Sequence, residues 1–419
     1  MSTLSFMRAA ILAAIIPAAP AAIASTDIAV RGETIHTMAG EPIEDGVVVV
    51  IGGRIAAIGP AGSTTFPDGI RVLEARVVTP GLIDARSVVG IAGYLNQSQD
   101  QDQIEMSTPI QPELRAIDAY NGRDRLVAWV RQFGVTTLHT GHAPGWLVSG
   151  QTMIVKTHGE DGERAVVEPT AMVAATLGEG ATQGPRRRLS FGPDRSKAPG
   201  TRSKAVALLR AELIRAREYL AARQKADADK SPARDLRLEA LGRVLQGEIP
   251  LLLTAHRHQD LKSALRIKAE FDIPMVLDGA AESYLMIDAI RAAGVPVVIH
   301  PTMARAFGEA DNLSMATAAK LQQAGIPVAL QSGYEPYVPK TRVVLFEAAV
   351  AAAHGMPFDR ALAAITIDAA KILGVEERLG SLEIGKDGDL ALYDGDPFEY
   401  TSHCTGVIIE GEVVSDQPH

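Results

Sequence analysis

The pattern that most constrains the fold is a recurring unit in which a helical stretch runs through a glycine and proline connector into a short apolar run. Ala293-Gly294-Val295-Pro296 opens onto Val297-Val298-Ile299, and Ala324-Gly325-Ile326-Pro327 onto Val328-Ala329-Leu330. Ile249-Pro250 before Leu251-Leu252-Leu253-Thr254, and Pro274 before Met275-Val276-Leu277, repeat the device, and Val135-Thr136-Thr137-Leu138 and Met153-Ile154-Val155 are further runs. Continuous apolar runs alternating with amphipathic helices are how parallel strands read when both faces are buried. Sustained over residues 79–383, the pattern predicts an α/β chain folded as a (β/α)8 barrel of TIM type. A doubly wound open sheet is the alternative, and the lack of a G-x-G-x-x-G after the first strand weighs against it.

The two ends of the chain read differently. Gly46 to Ile51 and Arg54 to Ile58 are β-rich runs joined by Gly52-Gly53, a strong hairpin signal. Residues 389–393, 406–409 and 412–414 are also strand-like. Neither end holds enough strands to stand alone, so segments 25–78 and 384–419 are expected to share one small composite β domain.

Composition narrows the function classes. Of 419 residues 47% are hydrophobic, which excludes a disordered chain, and a formal charge of -9 with 5% aromatics argues against a nucleic-acid platform. Cys404 is the single cysteine, so neither a disulfide framework nor a cysteine zinc site is available. Arg8, the apolar stretch that follows it and the triplet Ala22-Ile23-Ala24 read as a secretory leader over residues 1–24, giving a periplasmic or secreted protein with no membrane span. Within residues 184–243, an inserted segment, positions 186–243 carry 16 Lys and Arg against 7 Asp and Glu. This is either a docking surface for an anionic partner or a solvated helical insertion with Leu209, Leu213, Ala216 and Leu220 on its buried face.

Two blocks carry a family likeness. Val77-Val78-Thr79-Pro80-Gly81-Leu82-Ile83-Asp84-Ala85 lies near the start, and Ala364-Ile365-Thr366-Ile367-Asp368-Ala369-Ala370-Lys371-Ile372-Leu373-Gly374 near the end, continued by residues 380–390. With them the chain resembles the amidohydrolase superfamily, in its imidazolonepropionase-like and prolidase-like branch. The resemblance implies a metal-dependent barrel hydrolase acting on carbon-nitrogen bonds of small cyclic amides or dipeptide-like molecules.

The resemblance also implies a first strand ending in His-x-His, two imidazoles on one strand face that grip a metal. The matching positions here read Arg86-Ser87-Val88, and neither a guanidinium nor a valine can ligate. The acid expected after the eighth strand is also missing, with Gly333 in its place beside Tyr334 and Glu335. What survives is His256 and His258, with metal-competent spacing in Thr254-Ala255-His256-Arg257-His258, and Asp278 at the next strand end. His256 is expected to hold an ion or position water, Asp278 to act as general base, and Arg86 to take an anionic substrate group. Gln151, Glu282, His300 and Tyr334 are the further substrate-facing candidates, while His139, His142 and Lys156 read as structural. The cofactor expected is one divalent metal, zinc, or none. A second reading stays open: a catalytically silent homologue that binds a ligand or partners an active amidohydrolase subunit within an oligomer.

Overall fold

The structure is a computed structural model that describes residues 27–95, 97–159, 162–187, 199–225, 231–299, 308–334 and 343–419. The expected leader, His300 and Glu335 lie outside the described residues. From the N-terminal side, β1 (Ile28–Ile35), β2 (Ile43–Ile51), β3 (Arg54–Pro60) and β4 (Arg71–Pro80) form one sheet. Gly52 and Gly53, both at positive φ (56° and 80°), make the β2–β3 hairpin turn that only glycine adopts at no steric cost.

The chain then builds a barrel from β5 (Leu82–Ser87), β6 (Val135–Gly141), β7 (Val148–Lys156), β9 (Val173–Thr176), β10 (Leu251–Ala255), β11 (Met275–Gly279), β12 (Val297–Ile299) and β13 (Val328–Leu330), with β8 (Val166–Glu168) as a side strand on β7. It returns through β14 (Leu390–Tyr393), β15 (Cys404–Ile409) and β16 (Glu412–Ser415) to the first sheet, whose order is β16-β15-β14-β4-β1-β2-β3. The antiparallel β4–β14 pair, Val77 opposite Tyr393 and Pro80 opposite Leu390, joins the two chain ends. The fold is thus an α/β barrel with a second sheet drawn from both ends.

One barrel strand departs from the expected parallel set. β7 runs antiparallel to both β6 and β9, because residues 142–147 form too short a connection for a helical crossover and fold as a hairpin instead. Elsewhere β9 to β13 run parallel, each to the next. The barrel closes where the Ser332 amide donates to Asp84 Oδ1 (2.9 Å) and the Gly333 amide to the carbonyl of Arg86 (3.1 Å).

Alternation along these strands sets the layers. Ala174, Leu252, Val276 and Ala329 point inward and form an apolar plug with Ile83, Ile154 and Val298, while their neighbours Val173, Leu251, Leu253, Leu277 and Leu330 pack outward on the helices. Two residues further along each strand the inward position is polar: Thr176, Thr254, Asp278 and Gln331. In the insertion, the helix Arg202–Lys225 buries Leu209, Leu213, Ala216 and Tyr219, with Leu220 half-buried. Its cations serve local partners: Arg210 pairs with Glu270 and Arg215 with Glu212, each at 2.8 Å, and Arg217 covers the Phe271 ring.

Lys156 stands at the opposite end of the barrel from that polar layer. Its Nζ lies 2.8 Å from Asp387 Oδ2 and 2.7 Å from Asp389 Oδ2, tying β7 to the turn that leads into β14. Burial pushes the Asp389 carboxyl above its ordinary range, while Asp387, also buried, is held below it by Lys156 and Arg378. Replacing Lys156 with Met strands a buried carboxylate, an effect of about 3–5 kcal/mol. Urea unfolding should show that loss for Lys156→Met, and the double variant with Asp389→Asn should recover part of it.

Candidate active site at the barrel mouth

The polar layer is organised by a buried guanidinium. Arg86 follows the inward-facing Ala85 on β5 and is 3% exposed. Its Nη1 donates to the Ser87 carbonyl (3.1 Å) and Nη2 to the carbonyl of His142, whereas Nε has no hydrogen-bond partner among the described residues. Burial lowers the pKa of Arg86 from its ordinary value, against the pull of Asp278 and Asp84. Asp278 is itself held on both oxygens: Thr254 Oγ1 donates to Oδ2, and Gln331 Nε2 to Oδ1 at 2.6 Å. Gln331 also donates to the Val298 carbonyl at 3.1 Å, so one amide bridges three strand ends. Asp84 receives the Ser332 amide and hydroxyl.

Four of the residues singled out in the sequence, Arg86, His256, Asp278 and Tyr334, line one cavity of about 60 Å³. His256 packs on Gly279, at φ 77°, where an added Cβ would lie 2.6 Å from its Cε1. The other described candidates fall elsewhere. His258 opens the helix His258–Phe271, is half-exposed and turns to Glu282, whose Oε2 accepts from the His258 amide (2.7 Å) and faces its Nδ1 (3.1 Å). It therefore does not join His256 in a shared metal grip; the helix begins before the two-residue strand periodicity can carry over. Glu282 staples the start of that helix and accepts from Asn312 Nδ2 at 2.7 Å. Burial acts to raise its pKa, but these hydrogen bonds outweigh it and leave the carboxyl below its ordinary range. Gln151 is buried away from the cavity, its Nε2 donating to the Pro112 carbonyl (2.9 Å) and its Oε1 accepting from Thr170 (3.2 Å), so the antiparallel β7 gives it a scaffold role.

Residues absent from the sequence reading complete the lining: Thr176, Thr254, Gln331 and Glu309. The first three were accessible in principle, since each stands two places beyond an inward apolar residue. Glu309, in the short turn Gly308–Ala310, has no such local signal.

The comparisons with known proteins bear on this geometry. Residues 274–415 match the model of the amidohydrolase family. The amidohydrolase TasK of Hapsidospora irregularis is 23% identical over 401 residues, covering 90% of this chain but 40% of that relative, so this chain spans well under half its length. An imidazolonepropionase of Rhizorhabdus wittichii is 26% identical over 402 residues, covering 87% of this chain and 92% of the relative. The crystal structure of an amidohydrolase from Thermotoga maritima superposes with a TM-score of 0.84 at 26% identity, over 93% of this chain and all (100%) of the other. In sequence and in fold the chain is similar to amidohydrolases. An adenosine deaminase structure from Xanthomonas campestris with bound zinc shares the fold alone, at 16% identity and a TM-score of 0.54, over 93% of each chain.

Amidohydrolases of this kind invite a test for a divalent cation at the barrel mouth. Among the described residues no three His, Cys, Asp or Glu side chains converge to hold one. Arg86 places a fixed positive charge in the cavity, both Asp278 oxygens already accept hydrogen bonds, and His258 faces Glu282. The described donors do not fit such an ion, because it would have to displace the hydrogen bonds that already fill Asp278 and Glu282.

Beneath Arg86 lie His139 and His142. His139 Nδ1 donates to the Ala85 carbonyl (2.7 Å), which leaves Nε2 as the acceptor facing Thr152 Oγ1 (2.7 Å). Burial first and then the Arg86 charge lower His139 to about 3 and His142 to about 4. Both are neutral in the fold, while the unfolded chain takes up their protons below about pH 6.5, so stability should fall as the pH drops from about 6.5 towards 4. The slope is about 1.4 kcal/mol per pH unit for each histidine. Denaturant midpoints measured between pH 7 and 5 should show this acid lability, and His139→Gln should flatten it by roughly half.

Proposed function

We propose that this chain is a hydrolase of carbon-nitrogen bonds in small amides, with a remodelled barrel mouth in which Arg86 supplies the positive charge. The observation that carries the reading is the buried Arg86 guanidinium, whose Nε is unpartnered among the described residues and which shares one cavity with Asp278 and His256. A substrate carbonyl oxygen placed against Nε would gain charge stabilisation as it becomes an oxyanion, in a site whose dipoles are already fixed. Water adds to the carbonyl carbon as Asp278 takes its proton, His256 orients the attack, and the C–N bond breaks as Asp278 returns that proton to the leaving nitrogen. Thr254 and Gln331 hold the two Asp278 oxygens and aim the carboxylate. The similarity to the imidazolonepropionase of Rhizorhabdus wittichii supports the bond type.

The test joins elemental analysis of purified protein to a panel of cyclic amides and dipeptides. Amide turnover without a stoichiometric ion is expected. Asp278→Asn should lower it by about 10²-fold or more and Arg86→Met by a similar factor. A tightly bound ion at one per chain would remove the Arg86 reading.

One observation favours a second reading, a catalytically silent amidohydrolase homologue that binds a ligand or serves an active subunit. Both Asp278 oxygens already accept hydrogen bonds, so a water has no bare carboxylate oxygen to approach. Saturable binding of panel members with no release of amine would decide for it. The leader-like residues 1–24 support placing either activity in the periplasm or outside the cell.

A further inference from the structure

We propose that the barrel-mouth cavity selects a molecule carrying a protonated amine, and that Glu309 is the residue that receives it. This deepens the hydrolase reading and rests on it for the placing of the substrate in that cavity. Glu309 is 8% exposed and lines the cavity that holds Arg86, Asp278 and His256. Its Oε2 accepts from the Glu179 amide at 2.6 Å and its Oε1 from Arg202 Nη2. Arg202, the first residue of the long insertion helix, also reaches Asp260 through Nε, at 3.1 and 3.0 Å to its two oxygens. Gly178 permits this crowding: at φ 82°, an added Cβ would stand 2.4 Å from Glu309 Oε2 and 2.9 Å from Asp260 Oδ2.

Charge decides what such a cavity accepts. Two carboxylates, Asp278 and Glu309, line it together with one guanidinium, Arg86; behind them Asp84 faces Arg86, and Asp260 shares Arg202 with Glu309, so four acids answer two guanidinium groups. Arg86 stands between Asp84 and Asp278, so a ligand carboxylate placed beside it would meet two like charges. Arg202 is shared between Asp260 and Glu309. Burial raises the Glu309 carboxyl above its ordinary range, consistent with a carboxylate short of cationic partners. In a weakly hydrated space, a bound cation offsets that deficit and an anion deepens it.

An independent observation points to a donor-bearing ligand on the same wall. Thr176 lines the cavity, is 5% exposed, and its buried hydroxyl finds no hydrogen-bond partner among the described residues. It stands two residues before Gly178, beside Glu309. An ammonium group brings three N–H donors and no acceptor, and Glu309, Thr176 and one water supply three acceptors. The amine thus anchors one end of the molecule, leaving its amide carbonyl for Arg86.

Three amides of matched length test this: 6-aminohexanamide, hexanamide and adipamic acid, which carry a positive, a zero and a negative charge at pH 7. Calorimetric titration of the full chain is expected to give at least tenfold tighter binding of 6-aminohexanamide than of hexanamide, with adipamic acid weakest. In Glu309→Gln, checked for folding by its melting profile, the ratio between the first two should drop towards one. Equal affinities, a preference for adipamic acid, or no measurable binding of 6-aminohexanamide by the unmodified chain would each overturn the inference. Ammonia release, followed in the same samples, tests the hydrolase reading separately. The charge ranking without ammonia would keep the amine site and remove the hydrolase, whereas ammonia without the ranking would do the reverse.

Discussion

A guanidinium buried at the open end of a barrel has to be answered, and most of the mouth follows from how Arg86 is answered. Two backbone carbonyls, from Ser87 and His142, take its Nη groups, and Asp84 and Asp278 compensate its charge. The acids are fixed in turn by Thr254 on β10 and by Gln331 and Ser332 just after β13. Histidines underneath stay neutral because burial and that same positive charge oppose their protonation. The mouth is therefore a network of mutual satisfaction in which removing one member leaves a buried charge unpaired.

The contrast with the other end of the molecule is instructive. There Lys156 is clasped by Asp387 and Asp389, and the cluster joins the barrel to the composite sheet. Both ends use a buried cation between carboxylates, and Arg86 lines the cavity at the mouth, so there the charge faces something that can be exchanged for a ligand. The position of the cation, more than its chemistry, separates a structural pair from a site.

The fold was largely legible from short-range signals. Proline and glycine connectors before apolar runs marked β10 to β13, and the Gly52-Gly53 pair marked a hairpin, because both act through local backbone geometry. Arg86, His256 and Asp278 were found at the mouth because strand ends and two-residue alternation suffice to place them. His258 escaped that rule because a helix starts at it, and Gln151 because its strand runs against its neighbours. Glu309 carried no periodic signal; its place depends on Arg202, 107 positions away in the chain.

The amino-acid order alone settled the class of fold and the pairing of the chain ends, since each depends on residue type at neighbouring positions. Tertiary structure decided which side chains share the cavity, which histidines turn away, and how many carboxylates surround two guanidinium groups. Those outcomes depend on the closure of the barrel and on contacts between distant segments, where desolvation and charge act together and no local pattern can report them.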